Sequence, residues 1–341
     1  MRRAYLYTLM AVVLWTTGPL GSKAALLAEG GGRRLTPLGV AFWAILVGWL
    51  AMLAVVAARG RLGRVGEVSA RGWVVTGLMG LFGWAAYPVG MNFAYTRLPV
   101  ADAFMIGYLN PVFVVVFQGA AFGAVVRLVS GWEQKAGPTR RELWSLAVGL
   151  GLCLAGVVMI ATGGRIATRG ALGGSEAAAG AAAAVFAAAA WGVYSNLGRF
   201  VAVRRGGEAR GLADVQNLLA MTFGLVVMGA GLAASGDLKA PVGYITSLYL
   251  GGLGPAAVGA GAVIVVMGLL NYAAGYTLWL EALERGRRWG GEHKLPVLTY
   301  LVIVLAAFGG WAVLHEGVGP GFWPGAGLIA AGNALILKRS S

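Results

Sequence analysis

The sequence predicts an all-α membrane protein of ten transmembrane helices, arranged as two inverted five-helix repeats. Three observations carry that prediction. The 341 residues are 58% hydrophobic and 12% charged, with a mean hydropathy of +0.75, far more apolar than a soluble domain. A span takes about 20 mostly apolar residues, and segments of that kind lie near 4–27, 37–58, 73–95, 102–126, 143–162, 177–203, 214–234, 258–284, 295–314 and 321–337. With the amino terminus in the cytoplasm, 20 of the 27 Lys and Arg fall in inner segments and the other 7 in outer ones, which is the positive-inside distribution and puts both termini inside.

Composition also removes several function classes. A net charge of +14 would suggest nucleic acid in a soluble protein, but here the basic residues sit in short loops between apolar segments and set orientation. Cys153 is the single cysteine, so there is no disulfide framework and no cysteine metal cluster, and no cofactor is expected. The 57 glycines fit helices held close by small-residue faces, such as Gly149-Leu150-Gly151 or the Ala-rich run from Ala177 to Ala190.

The first span opens on Arg2-Arg3 and an apolar run, as a secretory leader does. Trp15, Pro19 and Lys23 fit a span that stays in place, so it reads as uncleaved. The third and fourth spans are joined by a tight polar turn, Thr96 to Leu98, with Pro99 after it. Inside the fourth lies Asn110-Pro111. Proline removes a backbone donor and clashes with the carbonyl four residues back, so the helix must kink or break at Pro111. From Tyr244 to Glu284 the chain is apolar for far longer than one span, so it must break, and Gly254-Pro255 is the obvious place. The preceding stretch, 244–261, reads as an interfacial or re-entrant piece.

The halves echo one another. Trp15 precedes Lys23 by the same spacing that separates Trp191 from Arg199, and AAFG recurs at Ala120 to Gly123 and Ala306 to Gly309. Residues 1–164 and 174–338 therefore read as two five-span repeats. An odd number of spans per repeat inverts the second copy, the trace of an inverted-repeat transporter with its site near the midplane.

LWTTGPLGSKAAL (14–26), AYTRLPVADAFMIGYLNPVF (94–113) and YTLWLEALERG (276–286) resemble motifs of the drug/metabolite transporter superfamily, in its ten-helix EamA-like branch, over Ala4 to Leu337. The resemblance implies a bacterial inner-membrane carrier, often an exporter of amino acids or other small metabolites, with a cavity between the repeats. The chain departs from the pattern in two places. No Glu follows Pro111 at the family spacing. Glu316 fits the second family position, but Pro296 precedes it by twenty residues, so either Val302 stands where the family has its proline or the helix is shifted.

Candidate substrate-binding residues are Trp15 in the first span, Trp84 and Asn92 in the third, Tyr108 and Asn110 in the fourth, Trp191 and Tyr194 in the sixth, and Tyr272 and Tyr276 in the eighth. A polar aromatic stripe inside a span is costly unless it faces protein or water; interhelical hydrogen bonding and aromatic packing are the structural alternatives. Pro111 and Pro296 are the hinge candidates. Glu281, Glu316 and His293 are the candidate coupling residues, although Glu281 near Arg285 also reads as a solvated ion pair and His293 as a surface group. Asp102 reads as a helix cap. Lys23 sits at the outer mouth, where it snorkels or attracts an anionic group.

The expected partners are a small-molecule solute and membrane lipid, with no nucleic acid; oligomeric state stays open. The expected class is a secondary transporter, not an enzyme, working by alternating access. The alternatives are a membrane-embedded lipid-handling protein or enzyme, which would need an acid cluster or phosphate loop, and a channel, which would show a charge ring or filter motif. The sequence displays neither feature.

Overall fold

The computed structural model describes residues 2–27, 29–30, 33–118, 140–161, 174–204, 212–236, 255–287, 295, 299, 301–317 and 319–337. Among them the chain is helical apart from a two-residue antiparallel ladder, β1 (Glu29–Gly30) with β2 (Arg33–Arg34). The helices are α1 (Arg2–Leu27), α2 (Pro37–Ala58), α3 (Ala70–Met79), α4 (Tyr87–Tyr95), α5 (Val100–Gly107), α6 (Asn110–Gln118), α7 (Arg140–Ala161), α8 (Gly174–Arg204), α9 (Leu212–Ser235), α10 (Pro255–Met267), α11 (Tyr276–Arg287), α12 (Leu301–Leu314) and α13 (Phe322–Leu337). A 3-10 helix, Leu62–Glu67, and two π-helical segments complete the described helices. Gly80–Ala86 joins α3 to α4, and Gly268–Gly275 joins α10 to α11.

Five helical stretches among the described residues are long and apolar enough to cross a membrane: Pro37–Ala58, Gly72–Tyr95, Ser175–Leu197, Leu212–Ser235 and Gly259–Leu283. Local chemistry fixes several starts. Thr36 accepts a hydrogen bond from the Gly39 N–H (3.1 Å) with Pro37 in the first turn of α2, and Ser69 accepts from Gly72 (3.2 Å) at α3. Helix α10 is described from Pro255, and 244–254, with the expected break at Gly254-Pro255, lies outside the described residues. The fourth apolar stretch is broken at Tyr108-Leu109, immediately before Asn110-Pro111. There the Tyr108 and Leu109 N–H groups turn back to the Phe104 and Ile106 carbonyls, both at 3.0 Å, and Pro111, with no N–H, sits in the first turn of α6, where none is needed.

Glycine sets which helices cross closely. A Cβ on Gly80 would lie 2.5 Å from the Ala220 carbonyl oxygen, so the first π-helical segment packs backbone to backbone on α9. A Cβ on Gly268 would lie 2.7 Å from the Ala44 carbonyl, so the second packs in the same way on α2. Helices α7 and α13 pair through Gly156 against Gly325 and Gly332 against Gly149. Gly151, by contrast, faces open space. The outer surface carries exposed large apolar side chains, among them Trp144, Val226, Trp311 and Trp323, as expected of helices whose outer faces meet lipid.

Candidate functional site

Eight aromatic side chains from α1, the first π-helical segment, α4, α8, the second π-helical segment and α11 form one connected cluster. Trp84 lies 4.8 Å from Tyr276, 5.9 Å from Tyr272 and 6.4 Å from Tyr194, centroid to centroid. Trp191 lies 4.7 Å from Tyr87, 4.8 Å from Tyr194 and 6.2 Å from Tyr276. Trp15 reaches both Tyr276 and Trp279 at 5.5 Å. Spacings of 4.5–7 Å are those of rings in edge or tilted contact. Of the sequence candidates, Trp15, Trp84, Trp191, Tyr194, Tyr272 and Tyr276 are thus brought together.

The π-helical geometry contributes to this. Each of the two segments carries an aromatic four residues after its crossing glycine, Trp84 after Gly80 and Tyr272 after Gly268. Both rings are buried at the bundle centre. π-Helical turns recur at functional sites because they loosen the backbone hydrogen-bond ladder locally and re-aim side chains.

Polar groups among these rings are only partly satisfied. The Tyr194 hydroxyl donates to Asn217 Oδ1 at 3.2 Å. Trp15 Nε1, Trp84 Nε1 and Asn217 Nδ2 are buried without a hydrogen-bond partner. Asn217, in the second turn of α9, was not among the sequence candidates. A signal for it exists, because Asp214, Asn217 and Met221 fall on one helical face and two of the three are polar.

The other sequence candidates make their described hydrogen bonds outside the ring cluster. Asn92 donates to the Pro37 carbonyl (3.0 Å), tying α4 to the start of α2. The Tyr108 hydroxyl donates to the Thr299 carbonyl (2.7 Å) and its ring packs on Phe104 at 5.1 Å. Asn110 is half-buried at the start of α6. Tyr108 is near enough to Tyr87 and Tyr276 to interact with them electrostatically, so it borders the cluster. His293 and Pro296 lie outside the described residues.

Ion pairs tie the two ends of the bundle. At the end where α1 stops, Lys23 is buried, 3.3 Å from Glu316 Oε1, and donates to the Leu98 carbonyl (3.1 Å) and the Tyr95 carbonyl. Glu316 Oε2 in turn accepts from the Val100 N–H (2.7 Å). The cap of α5 is therefore Glu316, not Asp102, because His315 takes a left-handed backbone (φ 56°) that turns the following carboxylate back over the helix start. At the other end, Arg59 and Arg61 hold the buried Asp214, Arg59 lies 3.6 Å from Glu281, and Arg285 lies 3.2 Å from Glu281 and over the Tyr7 ring. Trp15 is eight residues from both Tyr7 and Lys23, so at 1.5 Å per residue the aromatic cluster sits roughly 12 Å from each tied end.

With this geometry in hand, the comparisons are direct. Residues 2–131 match the model of the EamA-like transporter family. Over this stretch, a little over a third of the chain, the protein is similar to that family. That family lies within the drug/metabolite transporter superfamily. The EamA-like region contains α1 to α6, and with them Trp15, Trp84, Lys23 and the broken fourth stretch. No curated protein matches the chain. A solved crystal structure, described only as that of a protein, is 21% identical with a TM-score of 0.55, covering 99% of this chain and 98% of that one. At that identity the likeness extends to the fold.

Proposed function

We propose that the protein is a secondary transporter that moves a small organic solute, an amino acid or related metabolite, across the cell inner membrane by alternating access, with export as the favoured direction. The observation that carries this reading is the aromatic cluster at mid-depth, built from both halves of the chain and lying between two tied ends. A polar aromatic centre at that depth suits an amphipathic solute. Alternating access would release the Lys23–Glu316 tie on one side and the Arg59, Arg61, Asp214 and Glu281 ties on the other, one at a time.

The ten-helix inverted arrangement is supported by the pairing of elements. α2 crosses the second π-helical segment and α9 crosses the first, as an exchange between repeats would have it. Counting α1, the α5–α6 pair, α7, α12 and α13 as further spans beside the five long apolar helices would bring the number to ten. Both termini in the cytoplasm would place the Arg59 and Arg285 end inside, in keeping with the charge distribution.

Counterflow uptake in proteoliposomes tests the reading, with labelled amino acids, polyamines, nucleosides and a cationic dye, with and without an imposed pH gradient. Exchange of one solute class is the expected result. Accumulation only with the gradient would assign proton coupling to the set Glu281, Glu316 and His293. Exchange of no member by folded protein would overturn the carrier reading in favour of a membrane-embedded lipid-handling protein or enzyme.

A further inference from the structure

Buried polar atoms are nearly always hydrogen-bonded, because an unpartnered donor loses its water and gains nothing in return. The aromatic cluster breaks that rule in one direction only. Trp15 Nε1, Trp84 Nε1 and Asn217 Nδ2 are all donors: Trp15 and Asn217 are buried without an acceptor, and Trp84 Nε1, close to the Tyr194 hydroxyl oxygen, does not reach full hydrogen-bond geometry with it. Trp84 and Asn217 are almost completely buried, at 1% and 4% exposure.

The three donors belong to one run of contacts. Trp15 meets Tyr276 (5.5 Å), Tyr276 meets Trp84 (4.8 Å), Trp84 meets Tyr194 edge-on (6.4 Å), and the Tyr194 hydroxyl donates to Asn217 (3.2 Å). That last bond occupies the amide oxygen and orients the amide, which leaves its N–H₂ as the open group. Three of the described carboxylates are engaged at the ends, while Asp102, whose Oδ1 is buried without a partner, lies in the first turn of α5 near Glu316. Asp214 is held by Arg59 and Arg61, Glu281 by Arg59 and Arg285, and Glu316 by Lys23 and the Val100 N–H.

We infer that Trp84 and Asn217 are specificity-determining donors that bind an acceptor-rich group of the solute, a carboxylate, while the surrounding Trp and Tyr rings hold its apolar body. A carboxylate offers two oxygens and about four lone-pair directions, enough for several N–H donors at once, and charge-assisted bonds of this kind are stronger than neutral ones. This rests on the carrier reading for its physiological meaning. The binding chemistry itself is measurable without transport.

The test uses full-length protein in detergent and three probes that share one body: 3-phenylpropionate, 3-phenylpropionamide and 3-phenylpropylammonium. Affinities are measured by calorimetry and by the shift in thermal unfolding. The expected order is carboxylate, then amide, then ammonium, with the carboxylate favoured over the ammonium by about tenfold or more. Trp84→Phe keeps the ring and removes the N–H, and Asn217→Leu keeps the volume and removes the amide. Each is expected to lower carboxylate affinity by about tenfold and to leave ammonium affinity unchanged.

Equal binding of the three probes by the unmodified protein, a preference for the ammonium, or no binding of any would overturn the inference without need of a variant. Variants that fold and retain the full carboxylate preference would overturn it too. Carboxylate preference without counterflow would sustain the donor assignment while the carrier reading fails. Counterflow without that preference would do the reverse.

Discussion

Where α9 crosses the first π-helical segment, a Cβ on Gly224 would lie 2.6 Å from Trp84 Cβ; where α2 crosses the second, a Cβ on Gly48 would lie 2.5 Å from Tyr272 Cβ. In each crossing a glycine admits the base of an aromatic four residues beyond a second glycine, Gly80 or Gly268. One residue earlier the chemistry changes. Gly83 is the empty position against which the Tyr194 ring lies, so that a Cβ there would come within 2.2 Å of it. At the corresponding place in the second segment the side chain is Asn271, and the helix opposite supplies the glycine, Gly18, whose Cβ would lie 2.9 Å from the amide. The backbone plan is thus repeated, while the side chains that fill it are exchanged between partners. One crossing acquires the run from Trp84 through Tyr194 to Asn217, and the other does not.

Removing the central rings is the strongest way to break the comparison. Trp84→Ala should destabilise the folded protein by about 3–5 kcal/mol, because the ring is large, buried and closely surrounded. Tyr272→Ala should cost less, since the ring is smaller. Thermal unfolding in detergent reads both, and a larger loss at Tyr272 would mean that the second crossing carries more of the packing.

Adding a methyl group at the crossings sharpens the comparison at a smaller scale. Gly48→Ala and Gly224→Ala each force a Cβ against a neighbouring Cβ, with a backbone atom 3.0 Å away in each case, and should each cost about 1–3 kcal/mol. Matched losses are expected from the matched distances; a clear inequality would show that one helix can slide away and the other cannot. The smallest effect is expected at Asn92→Ala, which removes one hydrogen bond to the Pro37 carbonyl. It should cost about 0.5–1.5 kcal/mol and leave solute selectivity unchanged, because Asn92 lies outside the aromatic cluster. A selectivity change in counterflow would bring Asn92 back into the site.

Much of this was legible from residue order. The runs of apolar residues located the long helices to within a few positions, since burying a helical backbone in hydrocarbon takes a fixed length of chain. The break at Asn110-Pro111 followed from a missing N–H. The aromatic residues that meet at the centre were visible as polar rings inside apolar spans. Less legible were the residues whose roles depend on a partner far away in sequence. Glu316 replaces Asp102 as the cap of α5 only because the chain folds back at His315, and Lys23 is an interior ion-pair partner, not a snorkelling cation, only because Glu316 is there to meet it.

The sequence alone determined that the chain is an apolar all-helical membrane protein, where its long apolar helices run, and which aromatic side chains lie inside them, because hydropathy, proline and glycine act locally along the chain. The tertiary structure decided which of those side chains meet. Two π-helical segments and two glycine crossings set the rotation of each helix about its axis. That rotation turns Trp84, Tyr194 and Asn217 toward one another and sends Asn92 to a helix end, a choice of facing direction that depends on close contact between backbones distant in sequence.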